Sequence, residues 1–168
     1  MTDLTRRSAN GGRRVRTPQY LAERMLSVGR SSVSENKIAT VLFADVAGST
    51  ALIRDLNAED ADRILGPSVE IMATVVHRYE GAVREEGDGI MASFGAPIAH
   101  EDHAVRACNA ALDIQEAIRR HAAEVRRDFG LLLQVRIGVN SGPVVVRVES
   151  QEGDFIDLRM QGTPINIA

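Results

Sequence analysis

Two acidic residues stand where a cation could be held. Asp45 follows the apolar run Thr40-Val41-Leu42-Phe43-Ala44, and Gly48-Ser49-Thr50 come directly after Val46 and Ala47. Asp88 is bracketed by Gly87 and Gly89. Mg²⁺ takes one or two carboxylates and fills its remaining positions with phosphate oxygens and water. Two such ions about 4 Å apart activate an attacking hydroxyl and stabilise a leaving oxygen. Backbone amides in the turn from Val46 to Thr50 would point at an anion. A carboxylate for a cation beside amides for oxyanions reads as a metal–polyphosphate site. Either acid alone reads as an ordinary turn former, since Asp-Gly is a common turn dipeptide. Their joint setting carries the reading.

The elements that must position these acids are legible as patterns. Lys37–Val46 is a run of β-branched, aliphatic and aromatic residues, the signature of a buried strand, with Asp45 at its C-terminal end. Ala82–Glu86 and Ile90–Phe94 are short strands around Gly87-Asp88-Gly89, which puts Asp88 at a hairpin tip. Ser49–Leu56 is a short helix. Asn57 caps a second helix running to Tyr79, in which Gly66-Pro67 should kink or restart the helix. Glu101–Arg127 is the longest helical segment, with Val105, Cys108, Ala111, Leu112, Gln115 and Ile118 along one face. Leu132–Val139 and Val144–Val148 read as strands joined by a turn at Asn140-Ser141-Gly142-Pro143, and Phe155–Met160 as a further strand. This order predicts an α+β fold, ferredoxin-like and rich in antiparallel pairs, with helices packed on the sheet. In that arrangement the first strand lies beside the hairpin, which brings Asp45 and Asp88 to one edge.

Composition narrows the class. The chain of 168 residues fits one domain with an arm, and 44% hydrophobic residues supply a core. With 4% aromatics and no Trp, a platform of rings stacking on single-stranded nucleic acid is poorly supported. A net charge of −3 argues against nucleic-acid binding by the whole domain. Only the basic start, with Arg6, Arg7, Arg13, Arg14 and Arg16, could contact nucleic acid or an acidic surface. One cysteine, Cys108, excludes an internal disulfide and reads as core. No apolar run approaches the roughly 20 residues of a membrane span. A cytoplasmic protein is the expectation, divided into a flexible arm, short helix and linker over residues 1–36 and a domain over 37–168. His100 and His103 fit a helix start rather than a metal site, and His77 and His121 read as helix-surface residues.

Four motifs in order add a resemblance. Phe43-Ala44-Asp45-Val46-Ala47-Gly48-Ser49-Thr50 resembles the first metal motif of class III nucleotidyl cyclases, the adenylate/guanylate cyclase catalytic domain. Gly87-Asp88-Gly89-Ile90-Met91-Ala92-Ser93-Phe94-Gly95 resembles their second metal-binding hairpin, Val135–Gly142 their following strand and turn, and Gly162–Ala168 the start of their last motif. The resemblance implies synthesis of a cyclic nucleotide, ATP to cyclic AMP and pyrophosphate by preference, in intracellular signalling. It implies two Mg²⁺ or Mn²⁺ ions on Asp45 and Asp88 with the Val46 carbonyl. Amides of Ala47, Gly48, Ser49 and Thr50 would hold the phosphates, and Asn166 would orient the ribose. It also implies a homodimer with its sites at the interface.

Three departures accompany it. The family's transition-state arginine falls four residues after the asparagine, beyond Ala168, so the chain reads as C-terminally truncated. Arg84 and Arg159 occupy the positions that specify the purine. Arg has only donors, so neither residue could accept a hydrogen bond from a base. The alternatives are a weak or inactive nucleotide- and metal-binding regulatory module on the same fold, or an interaction protein using the N-terminal arm.

Overall fold

The computed structural model describes residues 17–31, 37–150 and 156–162. The order is α1 (Gln19–Ser31), β1 (Lys37–Val46), α2 (Ser49–Leu52), α3 (Ala58–Arg78), β2 (Ala82–Glu86), β3 (Gly89–Phe94), α4 (His103–Phe129), β4 (Val135–Ser150) and β5 (Ile156–Gly162). The strands form one sheet in the order β2-β3-β1-β4-β5, and every neighbouring pair is antiparallel. β1 and β2 therefore run parallel with β3 between them, the split βαβ of a ferredoxin-like α+β fold, as the sequence predicts. The sheet curls until its edge strands β2 and β5 come within 8 Å, Cα to Cα.

Alternation along β1 divides the sheet into two faces. Leu42, Ala44 and Val46 enter the larger core with Ile64, Met72, Val76, Phe94 and Ile114, under α3 and α4. Ala39 and Val41 point the other way and are buried with Leu21 and Met25 of α1, Met91 and Val144. The first helix thus covers its own chain's sheet. A division at residue 36 cuts through this packing rather than falling beside it. The arm over residues 1–16, the linker 32–36 and the last motif from Thr163 lie outside the described residues.

Several elements depart from the sequence expectation for identifiable reasons. α3 runs unbroken through Pro67, with Asn57 Oδ1 accepting from the Asp60 amide at 2.8 Å as its cap. The turn before the proline gains bonds from outside the backbone ladder. Ser68 Oγ donates to the Ile64 carbonyl at 2.8 Å, and His121 Nε2 lies 3.2 Å from the same oxygen. His121 is accordingly not a surface residue, and neither is His77, which is buried at the end of α3.

In α4 the buried face is Ala107, Ala110, Ile114, Ile118 and Val125, which shares only Ile118 with the expected stripe. Val105, Leu112 and Cys108 are exposed. Ala107 and Ala110 are fully buried, in a core close-packed enough that side-chain volume there matters.

Asn140–Pro143 is not a turn but the middle of the 16-residue β4. These residues pair with Val41, Thr40, Ala39 and Ile38 of β1. The β1 ladder ends at Val144 and the β5 ladder begins there, so Pro143 sits at a handover between partners where a missing N–H is tolerated.

Candidate active site

The site grows from one register. Asp45 stands opposite Gly89 of β3 on one side and Arg136 of β4 on the other. A Cβ on Gly89 would meet the Ala44 carbonyl oxygen at 2.4 Å and the Asp45 Cα and Cβ at 2.9 Å, so only glycine lets the strands meet here. Gly87 and Asp88 form the two-residue turn between Glu86 and Gly89, with Gly87 at φ +64°. A positive φ at the first turn position alone is the II′ geometry that favours glycine there. Asp88 is thereby held next to the residue that touches Asp45. The two acids named from the sequence come to one corner of the sheet.

Arg136 completes the corner. Its Nε donates to Asp45 Oδ1 at 3.0 Å and its Nη2 to Oδ2 at 2.8 Å, a forked pair. The Asp45 hydrogen bond and charge, with a further contribution from Asp88, raise the Arg136 pKa above its ordinary value. Sequence reading passed over Arg136 because the alternation of Leu133, Val135, Ile137 and Val139 assigns it only to the other face. The pairing register is what reveals it.

Beside the corner, Val46 ends β1 opposite Val135. Gly48 takes φ +65° and leads into α2. Backbone bonding of this turn starts with Ala51 and Leu52, both donating to the Gly48 carbonyl. The amides of Gly48, Ser49 and Thr50 thus precede the helix's own bonds. The Ala47 amide, counted with them from the sequence, is instead committed to the Gln134 carbonyl at 2.8 Å.

The remaining positions are spread out. Arg84 lies on β2 two register positions from the corner, opposite Met91, and its Nε is 3.1 Å from Glu86 Oε1. Arg159 lies on β5 opposite Arg147. Asn166 lies outside the described residues. His100 and His103 each have a structural role. His103 Nδ1 is 2.7 Å from the buried Thr40 hydroxyl, which also meets Ser141 Oγ at 2.7 Å. His100 Nε2 lies 3.3 Å from Glu80 Oε2, and burial lowers its pKa.

The residues fit a divalent cation with a polyphosphate. The donors are hard carboxylate oxygens, and a guanidinium already occupies Asp45 as a stand-in cation. Among the described residues no three or more His, Cys, Asp or Glu gather to hold a metal on their own. Two carboxylates with ligand oxygens filling the shell is the Mg²⁺ pattern.

Known proteins place this geometry in a family. Residues 32–160 match the family model described as the adenylate and guanylate cyclase catalytic domain. An adenylate cyclase of Mycobacterium tuberculosis is 28% identical over 153 residues, 90% of this chain and 33% of that protein. The crystal structure of the adenylyl cyclase CyaB from P. aeruginosa superposes with a TM-score of 0.73 at 25% identity, covering 82% of this chain and 71% of that one. The guanylyl cyclase Cya2 gives 0.71 at 30% identity, covering 81% and 69%. The chain spans only 9 to 33% of the length of the curated relatives it matches. Asp45 and Asp88, together with the sheet that joins them, fall inside the matched segment, and the chain belongs to the family of adenylate and guanylate cyclase catalytic domains.

Proposed function

We propose that this domain converts a nucleoside triphosphate, ATP by preference, into its cyclic monophosphate and pyrophosphate for intracellular signalling in the cytoplasm. The observation that supports the reading is the Asp45–Gly89 register, which sets the Asp88 turn next to Asp45. In this reading Asp45, Asp88 and the Val46 carbonyl hold two Mg²⁺ or Mn²⁺ ions. Such ions would lower the pKa of the ribose 3′-hydroxyl and neutralise charge on the departing pyrophosphate. The chain's own groups bind and orient. Amides of Gly48, Ser49 and Thr50 donate to the terminal phosphates. Asn166 orients the ribose so that its hydroxyl faces the α-phosphate in line. Arg84 and Arg159 flank the base. A homodimer would bring a β5 edge and Asn166 from one copy toward the Asp45 corner of the other.

One observation favours a second reading, a module that binds metal and nucleotide without turnover. Arg84 is engaged by Glu86 within its own strand, and a donor-only side chain reads no base donor.

Incubation with ATP or GTP and Mn²⁺ separates the two. Cyclic product that disappears in Asp45→Ala is the expected result. Metal-dependent nucleotide binding without product establishes the module instead, and absence of both product and binding overturns both readings.

A further inference from the structure

A helix commonly ends with a glycine in the left-handed conformation just past its last turn. α3 ends differently. Its closing bonds run from the Glu80 amide to the His77 carbonyl at 3.0 Å and from the Gly81 amide to the Val76 carbonyl at 3.1 Å. The left-handed place in that motif is Glu80, at φ +58°, the one non-glycine residue with positive φ among the described residues. Gly81 is held to glycine by packing instead, since a Cβ there would meet Val76 Cγ1 at 2.5 Å and Phe94 Cε1 at 2.7 Å. Glu80 therefore carries a backbone cost that glycine would avoid. Strain of this kind persists where the surroundings fix it.

Three basic side chains from three parts of the chain fix it here. Arg106 Nη1 of α4 donates to Glu80 Oε2 and to the Tyr79 carbonyl, both at 3.3 Å, while its Nε is tied to Asp102 Oδ1 at 2.7 Å. His100 Nε2, from the segment before α4, lies 3.3 Å from the same Oε2. Arg24 of α1 reaches the other oxygen, Oε1. One carboxylate thus joins α1, α4 and the segment leading into α4 to the point where α3 gives way to β2.

We propose that Glu80 is a positioning residue for the metal corner: this clamp fixes the start of β2 and through it the place of the Asp88 turn. The metal role of Asp88 belongs to the cyclase reading, so the proposal deepens that reading and rests on it.

The route from Glu80 to Asp88 is short and has little other support. β2 is an edge strand, bonded to β3 alone. It is sealed at its start and open at its end: Ala82 and Val83 are buried, Arg84 and Glu85 half-buried, Glu86 exposed. The Gly87-Asp88 turn follows the open end. Five residues of strand span roughly 17 Å. A small rotation at the base is carried along that length and grows toward the tip. Displacing a reacting group by about 1 Å can cost on the order of 10²-fold in rate. A plain helix cap makes the opposite prediction, since glycine at this place would relieve the backbone and leave the corner as it was.

The test uses the full chain and three measurements: hydrogen exchange on peptides covering residues 82–91 and α3, Mn²⁺ affinity from the electron paramagnetic resonance of the free ion, and cyclic nucleotide formation from ATP. Glu80→Gly removes the carboxylate and relieves the strain, whereas Glu80→Gln keeps the shape and removes the charge. In both, residues 82–91 are expected to exchange about tenfold faster while α3 keeps its protection. Mn²⁺ is expected to bind about tenfold more weakly, with turnover recovered at high Mn²⁺. The denaturation midpoint of Glu80→Gly is expected to stay close to the wild-type value. Wild-type hairpin exchange in a folded Glu80 variant overturns the proposal, and so does faster exchange with unchanged Mn²⁺ affinity. A wild type that binds Mn²⁺ but forms no cyclic product sinks the cyclase reading alone, and exchange and affinity still decide the clamp. A wild type that binds no Mn²⁺ removes the metal corner and the positioning role together.

Discussion

On one face of the sheet, Leu42, Ala44 and Val46 of β1 are sealed beneath α3 and α4 among aliphatic side chains and Phe94. On the other face, only the first half of the same strand is covered. α1 seals Ala39 and Val41, then stops, leaving Phe43 and Asp45 partly open. One ten-residue strand therefore serves stability with alternate residues and, in the proposed reading, chemistry with those between. The difference is one of cover rather than of composition. Where helices lie over the sheet, substitutions should cost folding. Where they do not, substitutions should cost binding and turnover and leave the fold nearly untouched.

The contrast breaks most readily at Phe94, fully buried on the helix-covered face. Phe94→Ala should cost about 3–5 kcal/mol of stability, read by chemical denaturation. Asp45→Ala should do the reverse. Cyclic nucleotide formation should fall by about 10² to 10³-fold. The denaturation midpoint should barely move, because an ion pair as exposed as Asp45–Arg136 is screened by water and contributes little to stability. A large loss of stability in Asp45→Ala would erase the distinction between the faces.

Acid tests the covered side in a different way. Burial pushes the His77 pKa down from 6.5 to about 4. The unfolded chain therefore takes up that proton first as pH falls. Stability is fully present above about pH 6.5 and declines on the way to pH 4, by up to about 3 kcal/mol. His77→Gln should flatten that part of the stability–pH curve.

The hairpin glycines sharpen the boundary between the faces. Gly89→Ala forces a methyl against the Ala44 carbonyl and should cost about 1–3 kcal/mol together with most of the activity. Gly87→Ala meets no atom within 4 Å and should cost only the backbone strain of its positive φ, about 1–2 kcal/mol. The smallest effect is expected at Arg24, whose guanidinium reaches Glu80 from α1. Arg24→Ala should change the melting behaviour by less than about 1 kcal/mol.

Much of this arrangement was legible because it is local. The limits of β1, the Asn57 cap and the Gly87–Gly89 hairpin follow from residues adjacent in sequence, and both acids with them. What depended on distant partners was not. Asn140-Ser141-Gly142-Pro143 carries strong turn signals, yet pairing with β1 keeps it extended. The α4 face was displaced because Ala107 and Ala110 do the packing that Val105 and Leu112 seemed fitted for. Arg136 was invisible as a partner of Asp45, since register is a property of two strands and neither contains it alone.

The position of α1 has a practical consequence for solubility. The family match begins at residue 32, after this helix. A protein started there would lack Leu21 and Met25 and would present Ala39, Val41, Met91 and Val144 to water as one apolar surface. A bare sheet face of that kind invites self-association. Expression of the matched segment alone should yield aggregates, and activity assays on such a fragment would report the missing cover rather than the chemistry proposed for Asp45 and Asp88.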